Sequence, residues 1–342
     1  MKYIKKFAEI FEGNTEENQW WKEFTKYKLS AYPVNIPKED VTIDLSGDIN
    51  THPVLTWNSP TTGKKVYSYT KERTDAQRNE KYERVEKMSE EQVEKIKAVC
   101  HDIIIDTNSS ESDKQAAAVV SIIAQTGLRP GSKKGFSVTH NRGVSTLAVE
   151  NVIIKGSIIK LDFTGKSYEH NTAEFEDGTV AHYLENKIKK QKKSDFVFDI
   201  SSEKVESFMK DLPEMNHFKV KDLRTHIAGK VAKDFLSNDP LPPPPVPNDP
   251  KEIKKAVTIK LKKAFETVSH QLNNTPAMAK KSYVSPVIIN KWLNDIGVKI
   301  ETTVTEKYKQ QKDNDGEHIV GNAVVYNLPD WWESDDVELV KA

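Results

Sequence analysis

The chain changes its hydrophobic rhythm near residue 70. Before that point short apolar–polar runs, VTIDL (Val41 to Leu45), PVLTW (Pro53 to Trp57) and KVYSYT (Lys65 to Thr70), are separated by Gly47, Asn50 and the SPTTG stretch from Ser59 to Gly63. Runs of this length bounded by turn formers predict short strands and a small, β-rich domain. From Lys71 the texture becomes charged, poor in glycine and helix-favouring, as in KERTDAQRNEKYERVEKMSEEQVEKIKAV. A domain boundary is expected near residue 80. SESDKQAAAVVSIIAQTGLRPGS then reads as a capped helix, with Ser112 as N-cap, Val119, Val120 and Ile123 on one apolar face, and Gly127 ending it.

The next segment returns to alternation. Val152 to Ile154 and Ile158 to Phe163 flank Lys155-Gly156-Ser157, a hairpin turn, and Gly165 and Lys166 fall at the following turn. Helical texture resumes at Thr179 and runs through KVKDLRTHIAGKVAKDFL. The PLPPPPVPNDP stretch, Pro240 to Pro250, predicts an extended polyproline connector. A basic amphipathic helix follows and leads to Tyr283. Beyond about Glu301 the pattern is weak. The expected fold class is α+β. A β-rich N-terminal domain spans residues 1–80, a larger, mainly helical domain spans 81–300, and a C-terminal extension spans 301–342.

Composition narrows the setting. No apolar run approaches the roughly 18 residues that a membrane helix needs, so no membrane association is expected. The N-terminus, MKYIKKFAEIFEGNTEENQWW, has no sustained apolar core and does not read as a signal peptide. Cys100 is the only cysteine, which leaves no intramolecular disulfide and no cysteine zinc site. A reducing, intracellular setting fits. Formal charge is +0, so distribution matters more than total. Basic runs occur at Lys187 to Lys193 and Lys251 to Lys263, and acidic residues gather at Asp330, Glu333, Asp335, Asp336 and Glu338. A basic run alone is ordinarily a solvated helix face.

Five pieces carry candidate chemistry: Arg129 in TGLRPGS, Lys166 in FTGKSYEH, Arg224 in KDLRTH, and Asn274 and Tyr283 in LNNTPAMAKKSY. Each is weak by itself. An arginine at a helix C-terminus usually answers the helix dipole, a lysine in a hairpin turn is usually just solvated, and a tyrosine after two lysines is usually a half-buried amphipathic residue.

In this order and spacing, the five pieces resemble the type IB DNA topoisomerases, and among them the short poxvirus and bacterial forms. Those enzymes carry an arginine in a TGLRPGS-like box, a lysine in a β-turn after FxGK, an arginine in KDLRT, and a histidine or asparagine in an HTP or NTP triplet nine positions before the tyrosine. Here Asn274 opens NTP and Tyr283 closes KKSY nine positions on. The resemblance runs from about Pro53 to about Trp292. It includes GKKVYSYTKER, Gly63 to Arg73, which looks like the stretch ending the family's N-terminal domain. It departs at Asn274, where the poxvirus enzymes have histidine. His270, four residues earlier, competes for that role, and the role is placed on Asn274. The proline-rich insert before Lys251 is longer than the family pattern leads one to expect. The resemblance implies an isomerase that acts as a monomeric clamp around duplex DNA, needs no cofactor, nucleotide or metal, and is DNA-associated in cytoplasm, nucleoid or a viral particle. Lys64, Lys65, Tyr67, Tyr69, Lys280 and Lys281 are expected DNA contacts.

The chemistry is consistent with this. Cutting and resealing DNA without an energy source requires that the bond energy be kept, and a phosphotyrosyl ester exchanges one phosphodiester for another. Tyr283 is the expected nucleophile. Its ordinary pKa of roughly 10 means that it needs help at neutral pH. Arg129 and Arg224 suit the charge spread over the non-bridging oxygens, being permanently charged, bidentate donors. Lys166 is the expected general acid for the leaving 5′-oxygen, and Asn274 a further donor to a phosphoryl oxygen. No GxxxxGK[ST] loop, HExxH motif or Asp/Glu metal cluster competes. The rival readings are a tyrosine recombinase or integrase, which uses a related set of residues, and a non-catalytic DNA-binding protein on the same fold. Against the first stand LNNTP in place of a histidine-containing LGH box and the β-runs ahead of the catalytic region. Against the second, none of the five residues is missing.

Overall fold

In the computed structural model, which describes residues 16–49, 51–60, 63–238, 250–296, 307–312 and 318–323, the early alternating runs form an antiparallel sheet in the order β1-β2-β3. Its strands are β1 (Thr42–Ile43), β2 (Leu55–Asn58) and β3 (Lys65–Ser68). Phe24, Leu29, Val41, Val54, Leu55 and Trp57 form the small core beneath it, with Phe24 supplied by a 3-10 segment, Glu16–Tyr27. Along β3 the pleat turns Val66 toward that core and leaves Tyr67 half exposed. The chain divides into two units, Met1–Lys81 and Tyr82–Ala342. The first helix, α1 (Lys71–Glu86), runs across the division.

The second unit is mainly helical. Helix α2 (Glu90–Ile105) opens with a capping box, in which Ser89 and Gln92 satisfy each other's backbone N–H. Helix α3 (Glu111–Thr126) is the TGLRPGS helix, and it corrects two expectations. Its N-cap is Ser110, not Ser112, because the Ser110 hydroxyl accepts the Asp113 N–H at 3.1 Å. It also has no single apolar face: every residue from Gln115 to Ala124 is buried. Its alanine- and valine-rich surface lets neighbours approach from several sides. Those neighbours are α2, the N-terminal part of α7 (Val220–Asn238), α6 (Ser202–Asp211), α5 (Gly178–Ile188) and strand β6 (His170–Glu176). A short helix, α4 (Lys133–Thr139), follows the box.

A second antiparallel sheet, β4 (Val152–Lys155), β5 (Ile158–Thr164) and β6 (His170–Glu176), lies on this core in the order β4-β5-β6. Ile159, Leu161 and Phe163 alternate inward along β5, and Gly156 makes the first turn at φ +62°. Strand β6 is an edge strand. A second core joins the latter part of α7 to α8 (Pro250–Leu272), α9 (Pro276–Ser282) and α10 (Pro286–Asp295) through Ala228, Ala232, Leu261, Val268, Leu272 and Ile289. Helix α7 therefore belongs to both cores: Val220 and Leu223 lie in the first, and Ala228, Ala232 and Leu236 in the second. The polyproline stretch lies outside the described residues except for Pro250, which begins α8. Most of the C-terminal extension lies outside them too, apart from the antiparallel pair β7 (Lys307–Lys312) and β8 (His318–Ala323).

Gly127 ends α3 at φ +69°, and a Cβ built there falls 2.9 Å from Leu272 Cδ2. Gly156 has a similar φ of +62° with no atom within 4 Å of such a Cβ. Gly156→Ala is expected to lose about 1–2 kcal/mol, the left-handed penalty alone. Gly127→Ala adds about 1–3 kcal/mol of overpacking. Urea denaturation of both variants checks this, and equal losses would show that α8 does not press on Gly127.

Candidate active site

The site begins with helix ends. Gly127, left-handed, stops α3 and turns the chain so that Arg129 leaves the core. Asn273, at φ +48°, stops α8 in the same manner. The next three residues of LNNTP also have local reasons. The Asn274 N–H returns to Ser269 O at 3.0 Å, Thr275 caps α9 by accepting the Met278 N–H at 3.2 Å, and Pro276 takes the first helical turn. Tyr283 closes α9, its N–H bonded to Ala279 O at 3.1 Å. Ser285 and Pro286 then start α10. Tyr283 thus sits half-buried at the joint between two short helices.

Arg224 lies within α7 and is only 2% exposed. No carboxylate among the described residues pairs with it. Its guanidinium donates to the carbonyl of Gly127 and, at 2.6 Å, to the carbonyl of Leu272. Both are C-terminal carbonyls, of α3 and α8, where the helix dipoles favour a cation. The buried carboxylate nearest in sequence, Asp222, is committed elsewhere. It takes a bidentate pair from Arg84 at 2.7 and 3.0 Å and the Lys219 N–H at 2.9 Å. Two positions apart on a helix, Asp222 and Arg224 point to different sides. The Arg224 Nε is buried and has no partner among the described residues.

The two arginines meet at the tyrosine. The guanidiniums of Arg129 and Arg224 both stand close enough to the Tyr283 hydroxyl to act on its charge, and the Arg224 guanidinium stands 4.9 Å from the centre of the Tyr283 ring. Burial by itself raises the phenol, but the two positive charges beside it outweigh this and hold Tyr283 below the ordinary tyrosine range. Burial pulls Arg224 down to about 10; the Tyr283 oxygen opposes this and the Arg129 charge adds to it. Arg224 therefore remains a cation at neutral pH.

Asn274 follows two residues after the carbonyl held by Arg224. Its Oδ1 and Nδ2 are both buried without a hydrogen-bond partner among the described residues. A carboxamide buried in this way is costly unless something arrives to use it. His270 is exposed on α8, in a polar recess with Lys160, Asp162, Thr172 and Glu174.

Lys166 is not gathered into the cluster. It is exposed at the turn between β5 and β6, and its side chain makes no hydrogen bond or ion pair among the described residues. The turn itself is built tightly. Ser167 and Tyr168 both have positive φ, at +64° and +60°, and a Cβ at Gly165 would fall 2.5 Å from the Asn171 amide nitrogen. The glycine of FTGK is thus required by close approach. Lys280 and Lys281 lie in the last turn of α9, one turn ahead of Tyr283. In the first unit Lys64 and Lys65 are exposed, Tyr67 is 50% exposed with Lys65 Nζ 6.0 Å from its ring centre, and Tyr69 is half-buried. The sequence reading passed over Arg84, whose pair with Asp222 secures the start of α7, and Asn273. The doublet NN ahead of TP was the available signal, since the first asparagine fits a helix end. Among the described residues no group of three or more His, Cys, Asp or Glu side chains is placed to hold a metal ion, and no helix is long and apolar enough to cross a membrane.

Two cations thus converge on a phenol in a mainly helical α+β fold with small antiparallel sheets. The family model of the eukaryotic DNA topoisomerase I catalytic core matches residues 68–314, and the chain belongs to this family, the type IB DNA topoisomerases. No curated protein sequence matches it. Two solved structures of the XerH site-specific recombinase are similar. A post-cleavage complex with palindromic difH substrate is 10% identical, with a TM-score of 0.38, over 61% of this chain and 51% of that one. A pre-cleavage complex with difH substrate is 11% identical, with a TM-score of 0.39, over 61% and 52%. The match spans about half the length of those chains.

The converging charges carry a titration prediction. Arginine stabilises the phenolate, so Tyr283 ionises below the ordinary tyrosine value, and removing one cation moves its pKa up. The difference in ultraviolet phenolate absorbance between wild type and Tyr283→Phe, followed with pH, is expected to rise early. In the Arg129→Ala background it should rise later. An unchanged midpoint would remove Arg129 from the phenol's surroundings.

Proposed function

We propose that this enzyme relaxes supercoiled duplex DNA by transient cleavage of one strand through a 3′-phosphotyrosyl intermediate, swivelling and religation. The observation that carries the reading is the convergence of Arg129 and Arg224 on the Tyr283 hydroxyl. The Tyr283 oxygen attacks the phosphorus in line, and the 5′-oxygen leaves. The phenol proton passes to solvent water, and Lys166 supplies one to the leaving oxygen. One phosphodiester is exchanged for another, so religation is the same step reversed and ATP has no role in the balance. The guanidiniums move from the phenol's oxygen to the non-bridging oxygens as charge develops there. The unpartnered Asn274 amide donates to the same group, and the free Arg224 Nε adds capacity. Lys166, exposed on its turn, closes onto the scissile phosphate with the duplex. Lys280, Lys281 and, from the first unit, Lys64, Lys65, Tyr67 and Tyr69 serve as backbone contacts, which position the duplex without reading its sequence. The enzyme works as a monomer that clamps DNA.

Plasmid relaxation in EDTA without ATP tests the reading. A plasmid lacking any recombination site should relax from either sign of supercoiling, and a strict need for magnesium or ATP would sink the proposal. Tyr283→Phe should bind DNA yet form no covalent adduct. A 3′-phosphotyrosyl adduct recovered at another tyrosine overturns the nucleophile.

A second measurement separates Asn274 from His270. In single-turnover cleavage of a suicide duplex, Asn274→Ala should be slowed about 10²-fold, the low end of the loss for one oxyanion-hole donor. His270→Ala should remain near wild type. The reverse ranking would move the role to the histidine.

A further inference from the structure

The Asn273 side chain does something that helix ending does not require. Its Nδ2 donates to the Thr172 carbonyl at 2.9 Å, and its Oδ1 accepts the Thr172 N–H at 3.2 Å. The two residues are 101 positions apart. Thr172 lies in β6, whose other side is taken by β5, with Thr172 opposite Asp162. A carboxamide repeats the donor and acceptor of a peptide group. Asn273 therefore pairs with the free edge of β6 as a single residue of a further antiparallel strand would.

What this pairing joins is chemically specific. On one side, Thr172 is the third residue of β6, just after the turn that holds Lys166. On the other, Asn273 stands between Leu272, whose carbonyl holds Arg224, and Asn274, whose amide is buried and unpartnered. The exposed lysine turn and the arginine-asparagine-tyrosine group come from different elements. Both must meet one phosphate within a fraction of an ångström, and misplacement by about 1 Å costs on the order of 10²-fold in rate. The β5–β6 ladder fixes the hairpin's internal register but not its position along the α8–α9 loop. Asn273 fixes that position through two directional bonds.

We propose that Asn273 is a positioning residue for the general acid: it registers the Lys166 hairpin on the loop that carries Asn274 and leads to Tyr283. The proposal rests on the reading of Lys166 as the proton donor to the leaving 5′-oxygen. Asn273 acts through the place it gives Lys166, by way of its pairing with Thr172.

The test uses Asn273→Gly, which keeps the left-handed helix end and removes the amide, and Asn273→Asp, which keeps the acceptor and loses the donor. Far-ultraviolet circular dichroism and thermal melting establish that each is folded, and either suffices if the other is not. Single-turnover cleavage is measured on two suicide duplexes, one ordinary and one with sulfur in place of the bridging 5′-oxygen at the scissile phosphate. A thiolate leaves without a proton, since a thiol's pKa is about 8.5, so this substrate bypasses the general acid. On the oxygen substrate Asn273→Gly should be slowed about 10-fold and Asn273→Asp by less. On the sulfur substrate both should come within about threefold of wild type, because only proton delivery is impaired. Lys166→Ala should show the same rescue, from a larger loss. Equal slowing of the Asn273 variants on both substrates would mean that the residue merely supports the loop. Wild-type rates on oxygen would mean that the pairing is idle. Either result overturns the inference and, if Lys166→Ala is still rescued, leaves the general-acid reading standing. If sulfur fails to rescue Lys166→Ala, that reading falls and the inference with it.

Discussion

A buried arginine with no carboxylate organises this protein. Placing a guanidinium at 2% exposure is costly unless its charge is answered. A carboxylate would answer it but would also take up the guanidinium's own hydrogen bonds. Arg224 is held instead by the final carbonyls of α3 and α8, at Gly127 and Leu272. These are partial charges of fixed direction, each worth a modest fraction of a salt bridge. They orient the guanidinium and leave it electrostatically hungry. The same need accounts for Asp222, whose charge is absorbed by Arg84 on another side of α7.

The rest of the site is positioned by the same helix ends. Because α3 must stop where Arg224 needs a carbonyl, Gly127 takes a left-handed conformation and Arg129 emerges beside the tyrosine. Because α8 must stop at Leu272, Asn273 turns the chain and Asn274 follows with its amide enclosed. Short helices α9 and α10, each begun by a hydroxyl cap and a proline, then hold Tyr283 at their joint. Helix ends are where backbone polar groups lack partners, so a site assembled there gains fixed dipoles without added side chains. Helix α7 belongs to both cores of the second unit, so Arg224 is set by packing on both sides.

Lys166 obeys a different logic. It stands on a solvent-facing turn with two consecutive non-glycine residues at positive φ, away from the phenol and its two arginines. In the proposed mechanism, keeping the amine apart from the two arginines until a phosphate neutralises them avoids like-charge repulsion among three positive groups. The turn is placed from elsewhere: the Arg142 N–H holds the Thr164 carbonyl, and the Asn273–Thr172 pairing ties the free edge of β6 to the α8–α9 loop.

Much of this was legible in the residues alone. Local signals wrote the β-runs before residue 70, the helices after Lys71, the turn at Gly156 and the stop at Gly127, because turn formers and capping residues act over a few positions. The residue types Arg, Lys, Arg, Asn and Tyr marked the candidate chemistry, since charge, donor number and nucleophilicity belong to a side chain wherever it stands. Local reasoning failed at Ser112, where two nearby serines compete for one cap and only geometry chooses Ser110. It failed again on α3, whose burial on all sides depends on which neighbours arrive. What only the tertiary structure decided is which groups share one point in space. That Arg129 and Arg224 both reach the Tyr283 hydroxyl, that Arg224 rests on carbonyls 97 and 48 residues away, and that Asn273 answers Thr172 across 101 residues are facts of packing. They depend on long-range contacts between helix ends and a sheet edge, and no spacing within one stretch of chain encodes them.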